Sequence, residues 1–235
     1  MVNVDKINKQ IEDVREFMTT FGQEIPDKPT YKNLKFRLGL IREEQTETLN
    51  STNFLEYFDG CLDTLYVVHG TFLSLGIRGS LTELDFVSPY TNPYDPLEEM
   101  RISDEENILE IVKIWENNCF CDDKSWSEDI EEKFLEEVFE KSQYSLHHFL
   151  SSIIYSIHER FSGKSEEFLD KGWKCVHESN MSKLFEESEI VNIPKEWTCV
   201  KTDLGYVVKN QYGKVMKSPS YKPATDGLKE ILIGL

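Results

Sequence analysis

Apolar residues recur every three or four positions near the start of the chain. Ile7, Ile11, Val14, Met18 and Phe21 form one stripe, which predicts an amphipathic helix over residues 4–21. The stretch GQEIPDKPT, with two prolines, ends it, and Thr30 is suited to cap the next helix. That second helix is predicted from about Thr30 to Thr48, with Leu34, Leu38 and Ile41 on its apolar side. After the break NSTN, a third runs from about Asn53 to Leu75 and carries Leu55, Phe58, Leu62, Leu65, Tyr66 and Val68. It is apolar on almost every side, which predicts a central position among the other helices.

The pattern then changes. Residues 77–103 read as loop, punctuated by Gly79, Pro89, Pro93 and Pro96. EENILEIVKIWENN and SEDIEEKFLEEVFEK predict short amphipathic helices with almost entirely acidic outer faces, and YSLHHFLSSIIYSIHERF predicts a more apolar one. A last helix is expected from about Ser165 to Phe185. Beyond Glu196, period-two alternation around Gly205 and Gly213 predicts a small β-hairpin and a tail. No internal repeat and no low-complexity linker is visible. The expected fold class is all-α: an antiparallel helical bundle of four or five helices around one core, with a small C-terminal β-hairpin or arm.

Composition narrows the function. The 235 residues suit one domain, and 39% hydrophobic with 12% aromatic residues is enough to bury a core. A net charge of −17 and a pI near 4.7 argue against nucleic acid or an anionic membrane as the main partner. An anionic small molecule stays compatible, because a few lysines or a bound cation reverse the sign of one pocket. Cys61, Cys119, Cys121, Cys175 and Cys199 are odd in number and lack framework or zinc-finger spacing. They read as reduced thiols of a cytosolic protein, without a structural metal. No signal peptide or membrane span is legible, so the expected location is cytoplasmic.

Two acidic ladders change the picture most. IREEQTETLN (residues 41–50) carries Glu43, Glu44 and Glu47, and LEYFDGCLDTLY (residues 55–66) carries Glu56, Asp59 and Asp63. Residues three, four and seven apart share a helix face, and a short connection makes the two helices antiparallel neighbours. Facing ladders would bring five or six carboxylates into one volume, where they cannot all stay ionised without cations. Hard divalent ions with oxygen ligands, above all Mg²⁺, answer that need. Paired glutamates on a helix are ordinarily a solvated face, and EEQTE alone reads that way. The second ladder weakens that reading, because its acids lie amid Leu, Phe and Tyr.

Glu43-Glu44-x-x-Glu47 followed by Glu56-Tyr57-Phe58-Asp59 resembles the all-α nucleoside triphosphate pyrophosphohydrolases. That superfamily includes MazG, the dimeric dUTPases and phosphoribosyl-ATP pyrophosphohydrolase. The continuation DGCLDTLYVVHGTFLSLGI is similar to the D-x-x-x-D-x-L-Y-V-x-x-G run of MazG-like members, many of them bacterial or phage-encoded. VHESNMSKL (176–184) and YGKVMKSPSYKPA (212–224) resemble the C-terminal nucleotide-binding segments of that subgroup, in the same order. The resemblance covers about residues 30–78 and 165–224. The acidic region at about 79–162 has no counterpart in the minimal pattern, and is expected to be an insertion within a single domain spanning 1–235.

The resemblance implies cleavage of a nucleoside triphosphate between its α and β phosphates, giving a monophosphate and pyrophosphate. Mg²⁺, with Mn²⁺ as a substitute, would be held by Glu43, Glu47, Glu56 and Asp59 or Asp63, and Glu44 or Glu47 would orient or deprotonate the attacking water. Lys183, Lys214 and Lys217 would meet the outer phosphates, Asn180 would donate hydrogen bonds, and Tyr221 would stack on the base. Asn33 and Phe36, on the first-motif helix, are further candidates for nucleotide contact, whereas His69 and His177 are read as packing or surface residues. A homodimer or dimer of dimers is also implied, with the site completed across subunits. Two rival readings stand beside this one. The first is a phosphoribosyl-ATP pyrophosphohydrolase-like enzyme, ranked lower because the C-terminal blocks look MazG-like. The second is a non-catalytic acidic interaction protein, against which the intact acids at every motif position argue.

Overall fold

The computed structural model describes residues 4–27, 31–74 and 165–233. The Thr30 cap, the loop over 77–103, the three helices expected between 105 and 161 and the insertion at 79–162 lie outside the described residues. Five helices are described: α1 (Val4–Thr20), α2 (Tyr31–Leu49), α3 (Phe54–Ser74), α4 (Ser165–Met181) and α5 (Ala224–Ile233). Strands β1 (Thr198–Thr202) and β2 (Gly205–Lys209) form one antiparallel pair between α4 and α5. The described protein is thus mostly helical with a small sheet.

Helix ends obey local chemistry. α1 stops where Gly22 adopts φ 58°, with Gly22 N–H donating to Thr19 O (3.1 Å) and Gln23 N–H to Met18 O (2.7 Å). This pair of bonds around a left-handed glycine satisfies the last carbonyls of the helix. α3 begins at Asn53, whose Oδ1 accepts the Glu56 N–H at 3.0 Å. The Glu56 carboxylate in turn reaches back to the Thr52 N–H (2.8 Å) and hydroxyl (2.9 Å).

α3 is the element the others pack on, touching α1, α2, α4 and α5. Its Phe58, Leu62, Leu65, Val68 and Phe72 join Ile7, Val14, Met18 and Phe21 of the first segment in one core. Two polar groups are buried there with partners. His69 faces Gln10, with Nε2 3.1 Å from Oε1, and burial pushes its imidazole down to about 3, so it packs as a neutral ring. The Arg37 guanidinium donates to Ser74 Oγ (2.8 Å) and Gln23 Oε1 (3.2 Å), tying α2 to the end of α3 and the turn after α1.

α2 and α3 run antiparallel: Thr48 meets Gly60 and Thr64, while Arg37 meets Gly70 and Ser74. Gly60 is what lets them close. A Cβ there would clash with Thr48 Oγ1 and stand 3.0 Å from the Thr48 backbone.

Two C-terminal expectations change. The helix expected to reach Phe185 ends at Met181, because side chains compete for its last carbonyls: Ser182 Oγ donates to Ser179 O (2.8 Å) and Asn180 Nδ2 to Val176 O (3.1 Å). Phe185 instead exchanges two 2.9 Å backbone hydrogen bonds with Tyr206 on β2. The expected tail contains α5, whose Leu228, Ile231 and Leu232 pack on the core. Gly227 interrupts that helical pattern in the sequence, yet a Cβ there would stand 2.7 Å from Cys175 Sγ on α4. The hairpin itself forms as expected, with Val207 and Val208 buried and Cys199 opposite Val208. Among the described residues no helix is long and apolar enough to cross a membrane.

Gly60→Ala should destabilise the protein by about 1–3 kcal/mol in urea unfolding, because the two helices must separate. Gly39→Ala, where a Cβ meets nothing within 4 Å, should instead stabilise by about 0.5–1 kcal/mol.

Candidate metal and nucleotide site

The antiparallel α2–α3 contact sets the first ladder against the second. Glu43 and Glu47 remain exposed, while Glu44, Asp59 and Asp63 sink between the elements. Their electrostatics show how closely they are grouped. Burial, then Glu47 and Glu43, push the Glu44 carboxyl up to about 7 against the pull of Lys183 and Lys214. Asp63 is raised well above the usual carboxylate range by burial, then by Glu44 and Asp59, with Lys183 opposing. Burial raises Asp59 as well, with Lys217 holding it down and Glu47 adding to the rise.

The sixth acid stands apart. Glu56 is exposed and its carboxylate is taken by Thr52 at the α3 cap, which holds it below its usual range. The structure therefore brings together Glu43, Glu44, Glu47, Asp59 and Asp63, and engages Glu56 elsewhere.

Three lysines face these acids, and two of them arrive on one strap, residues 212–222. Asn210 Oδ1 accepts the N–H groups of Tyr212 and Lys214 (3.0 Å each), and Met216 N–H donates to Val208 O at 2.9 Å, so the strap leaves β2 in a defined direction. Its far half is stitched to the end of α4. Ser218 Oγ donates to Ser182 O, the Lys222 N–H donates to Ser182 Oγ, and Ser179 Oγ donates to the Tyr221 hydroxyl, each at 2.9 Å. Lys214 Nζ then reaches Glu43 Oε1 at 2.9 Å, and Lys217 stands 4.6 Å above the Tyr221 ring.

Lys183, from the turn after α4, is partly buried and lies 5.7 Å over the Phe17 ring. Its ammonium donates to Asn180 Oδ1 at 2.5 Å, while the Asn180 amide nitrogen is bonded to Val176 O. Asn180 is thus buried with both ends of its amide engaged, and its visible work is to hold Lys183. Phe36 is half exposed on α2, two turns before Glu43 on the same face. His177 bonds the Tyr66 hydroxyl through Nδ1 at 3.1 Å and packs on that ring. Sequence reasoning missed Ser179, Ser182 and Ser218. They lie inside VHESNMSKL and YGKVMKSPSYKPA, but a serine carries no sequence signal that it will bond across forty residues.

Among the described residues no three acidic, histidine or cysteine side chains stand ready-shaped around one ion position. The donors nevertheless suit a hard dication. All are carboxylate oxygens, and Asp59 Oδ1 is buried without a hydrogen-bond partner. A dication beside Asp59 and Asp63 would favour their ionised forms and reverse the cost of burying them.

Sequence comparison finds one family model similar to part of the chain. Residues 14–84 match the family model of phosphoribosyl-ATP pyrophosphohydrolase. This family is a member of the all-α NTP pyrophosphohydrolase superfamily, in agreement with the resemblance carried by the acidic ladders. The matched segment contains both acidic ladders, and the family it matches suggests hydrolysis of a nucleotide phosphoanhydride. No curated protein and no solved structure gives a significant match to the chain.

Glu44 yields a pH test in the presence of a chelator. Its folded pKa, about 7, lies above the ordinary carboxylate value, so the folded state holds the proton longer and loses stability as pH rises from about 5 to 8. The difference between wild type and Glu44→Gln isolates this group from others that titrate. It should grow by roughly 2 kcal/mol over that interval, with the wild type losing more, as read by urea unfolding.

Proposed function

We propose that the chain is a Mg²⁺-dependent nucleoside triphosphate pyrophosphohydrolase, converting an NTP or dNTP to the monophosphate and pyrophosphate. The observation that supports this best is the meeting of acids from α2 and α3 with Lys183, Lys214 and Lys217 at one place. Carboxylates suit a dication and ammonium groups suit a polyphosphate, and few other ligands need both.

Glu43, Glu47, Asp59 and Asp63 are the residues to hold the metal, with Glu56 left to its cap. When bound, Mg²⁺ supplies polarisation of the phosphoryl oxygens and neutralises charge on the leaving pyrophosphate. Glu44, turned inward beside Glu43 and Glu47, is the group to accept the proton of the attacking water. Lys183, fixed by Asn180, binds outer phosphate oxygens from the protein side, and Lys214 and Lys217 do so from the strap. Tyr221 and the exposed Phe36 are the aromatics available to the base. A homodimer or dimer of dimers and a cytoplasmic location belong to the same reading.

A second reading has its own support. The family match is to phosphoribosyl-ATP pyrophosphohydrolase, whose substrate has its α–β phosphoanhydride in the same chemical setting. The same residues would serve either substrate.

Pyrophosphate release with Mg²⁺ from NTPs, dNTPs and phosphoribosyl-ATP separates the two. Turnover of one or more triphosphates is expected, falling at least about 100-fold in Glu47→Gln. Turnover of phosphoribosyl-ATP alone selects the second reading, and cleavage of none of the panel removes both.

A further inference from the structure

The strap and the acidic helices already meet as oppositely charged partners. Lys214 Nζ stands 2.9 Å from Glu43 Oε1, and both side chains are about half open to solvent. The neighbouring cation Lys217 lies over the Tyr221 ring and favours the ionised form of Asp59 without pairing with it as Lys214 does with Glu43. Beyond these lysines the strap is fixed by the Ser182 bonds to Ser218 and Lys222. Just before Lys214 lies Gly213, at φ 81° with nothing within 4 Å of where a Cβ would be. The Lys214 backbone is itself held, its N–H by Asn210 Oδ1 and its carbonyl by the Asn210 N–H at 3.0 Å each, so its contact with the first ladder is an exposed ion pair that the side chain alone makes or releases.

We propose that Lys214 is a built-in counter-cation, which occupies Glu43 while the acids lack metal and must be released for a divalent ion to take that carboxylate. This rests on the reading that Glu43 is a metal ligand. Two cations on one half-exposed carboxylate repel, so the metal and the Lys214 ammonium compete for Glu43. The released ammonium is then free for an anionic phosphate. Metal and polyphosphate each favour the released Lys214 side chain, so each binds better in the presence of the other. The device also gives the metal-free protein a neutralised acidic face instead of an open one.

The test is Mn²⁺ binding to the full-length chain at low salt without nucleotide, monitored by the paramagnetic resonance signal of free Mn²⁺. Lys214→Met should tighten Mn²⁺ binding about three- to tenfold. Lys214→Arg, which keeps a cation able to pair with Glu43, should match wild type, as should Lys229→Met on the exposed face of α5. Binding seen only in Lys214→Met also supports the proposal. If wild type binds Mn²⁺ and Lys214→Met binds it equally or more weakly, the counter-cation role is wrong while the metal site stands. Equal tightening in Lys229→Met would reduce the effect to overall charge and likewise overturn it. Failure of both wild type and Lys214→Met to bind Mn²⁺ removes the metal assignment and the proposal together.

Discussion

The close approach of α2 and α3 at Gly60 and Thr48 governs the site. Side chains on the facing sides of two helices this near lose water, and Glu44, Asp59 and Asp63 are on those sides. Carboxylates so placed are costly as anions, and each is displaced upward from its ordinary range with burial as the first cause. The fold therefore creates a deficit of positive charge at one place before any ligand arrives. A chain of net charge −17 has few cations to spare, yet Lys183, Lys214 and Lys217 are all directed there.

The means of directing them differ, and the difference bears on what each lysine can do. Lys183 is partly buried, bonded to Asn180 and packed over Phe17, so its position is set by its neighbours. Lys214 and Lys217 are exposed and ride on backbone that is stitched to α4 only after residue 218. A partly buried ammonium with a fixed partner makes a constant contribution to the field of the site. Ammonium groups on an exposed strap can change partner at little cost, because exposed ion pairs contribute about 0–1 kcal/mol. Fixed and exchangeable cations together suit a site that must be stable when empty and must also receive a highly charged anion.

How much of this was legible in the sequence depends on where each signal is encoded. α1, α2 and α3 were legible because a 3.6-residue apolar period is written locally and burial on the central helix enforces it. The pairing of the two ladders was legible for the same reason, as a short connection leaves antiparallel packing as the simple outcome. Glu56 was grouped with the metal acids on its spacing and on the resemblance of Glu56-Tyr57-Phe58-Asp59 to the second family motif. Its position three residues after Asn53 is also the signature of a helix cap, and that local use engages it here. α5 was hidden because Gly227 is a poor helix former chosen for its contact with Cys175, and tertiary fit overrides propensity. The strap lysines were legible only through resemblance, because a lysine in a polar loop has no periodicity that points to its partner.

The ladder also separates positions that spacing leaves merged. Glu43, Glu44 and Glu47 look equivalent in EExxE, but Glu43 and Glu44 are successive helical residues about 100° apart, so they point to different sides with Glu47 between them. Glu44 turns toward α3 and Lys183, where burial and its two neighbours lift it to about 7. Glu43 and Glu47 stay on the exposed face, one of them against Lys214. Burial by a single helix–helix contact thus separates the members of one short acidic motif, turning Glu44 inward and leaving Glu43 and Glu47 open to solvent.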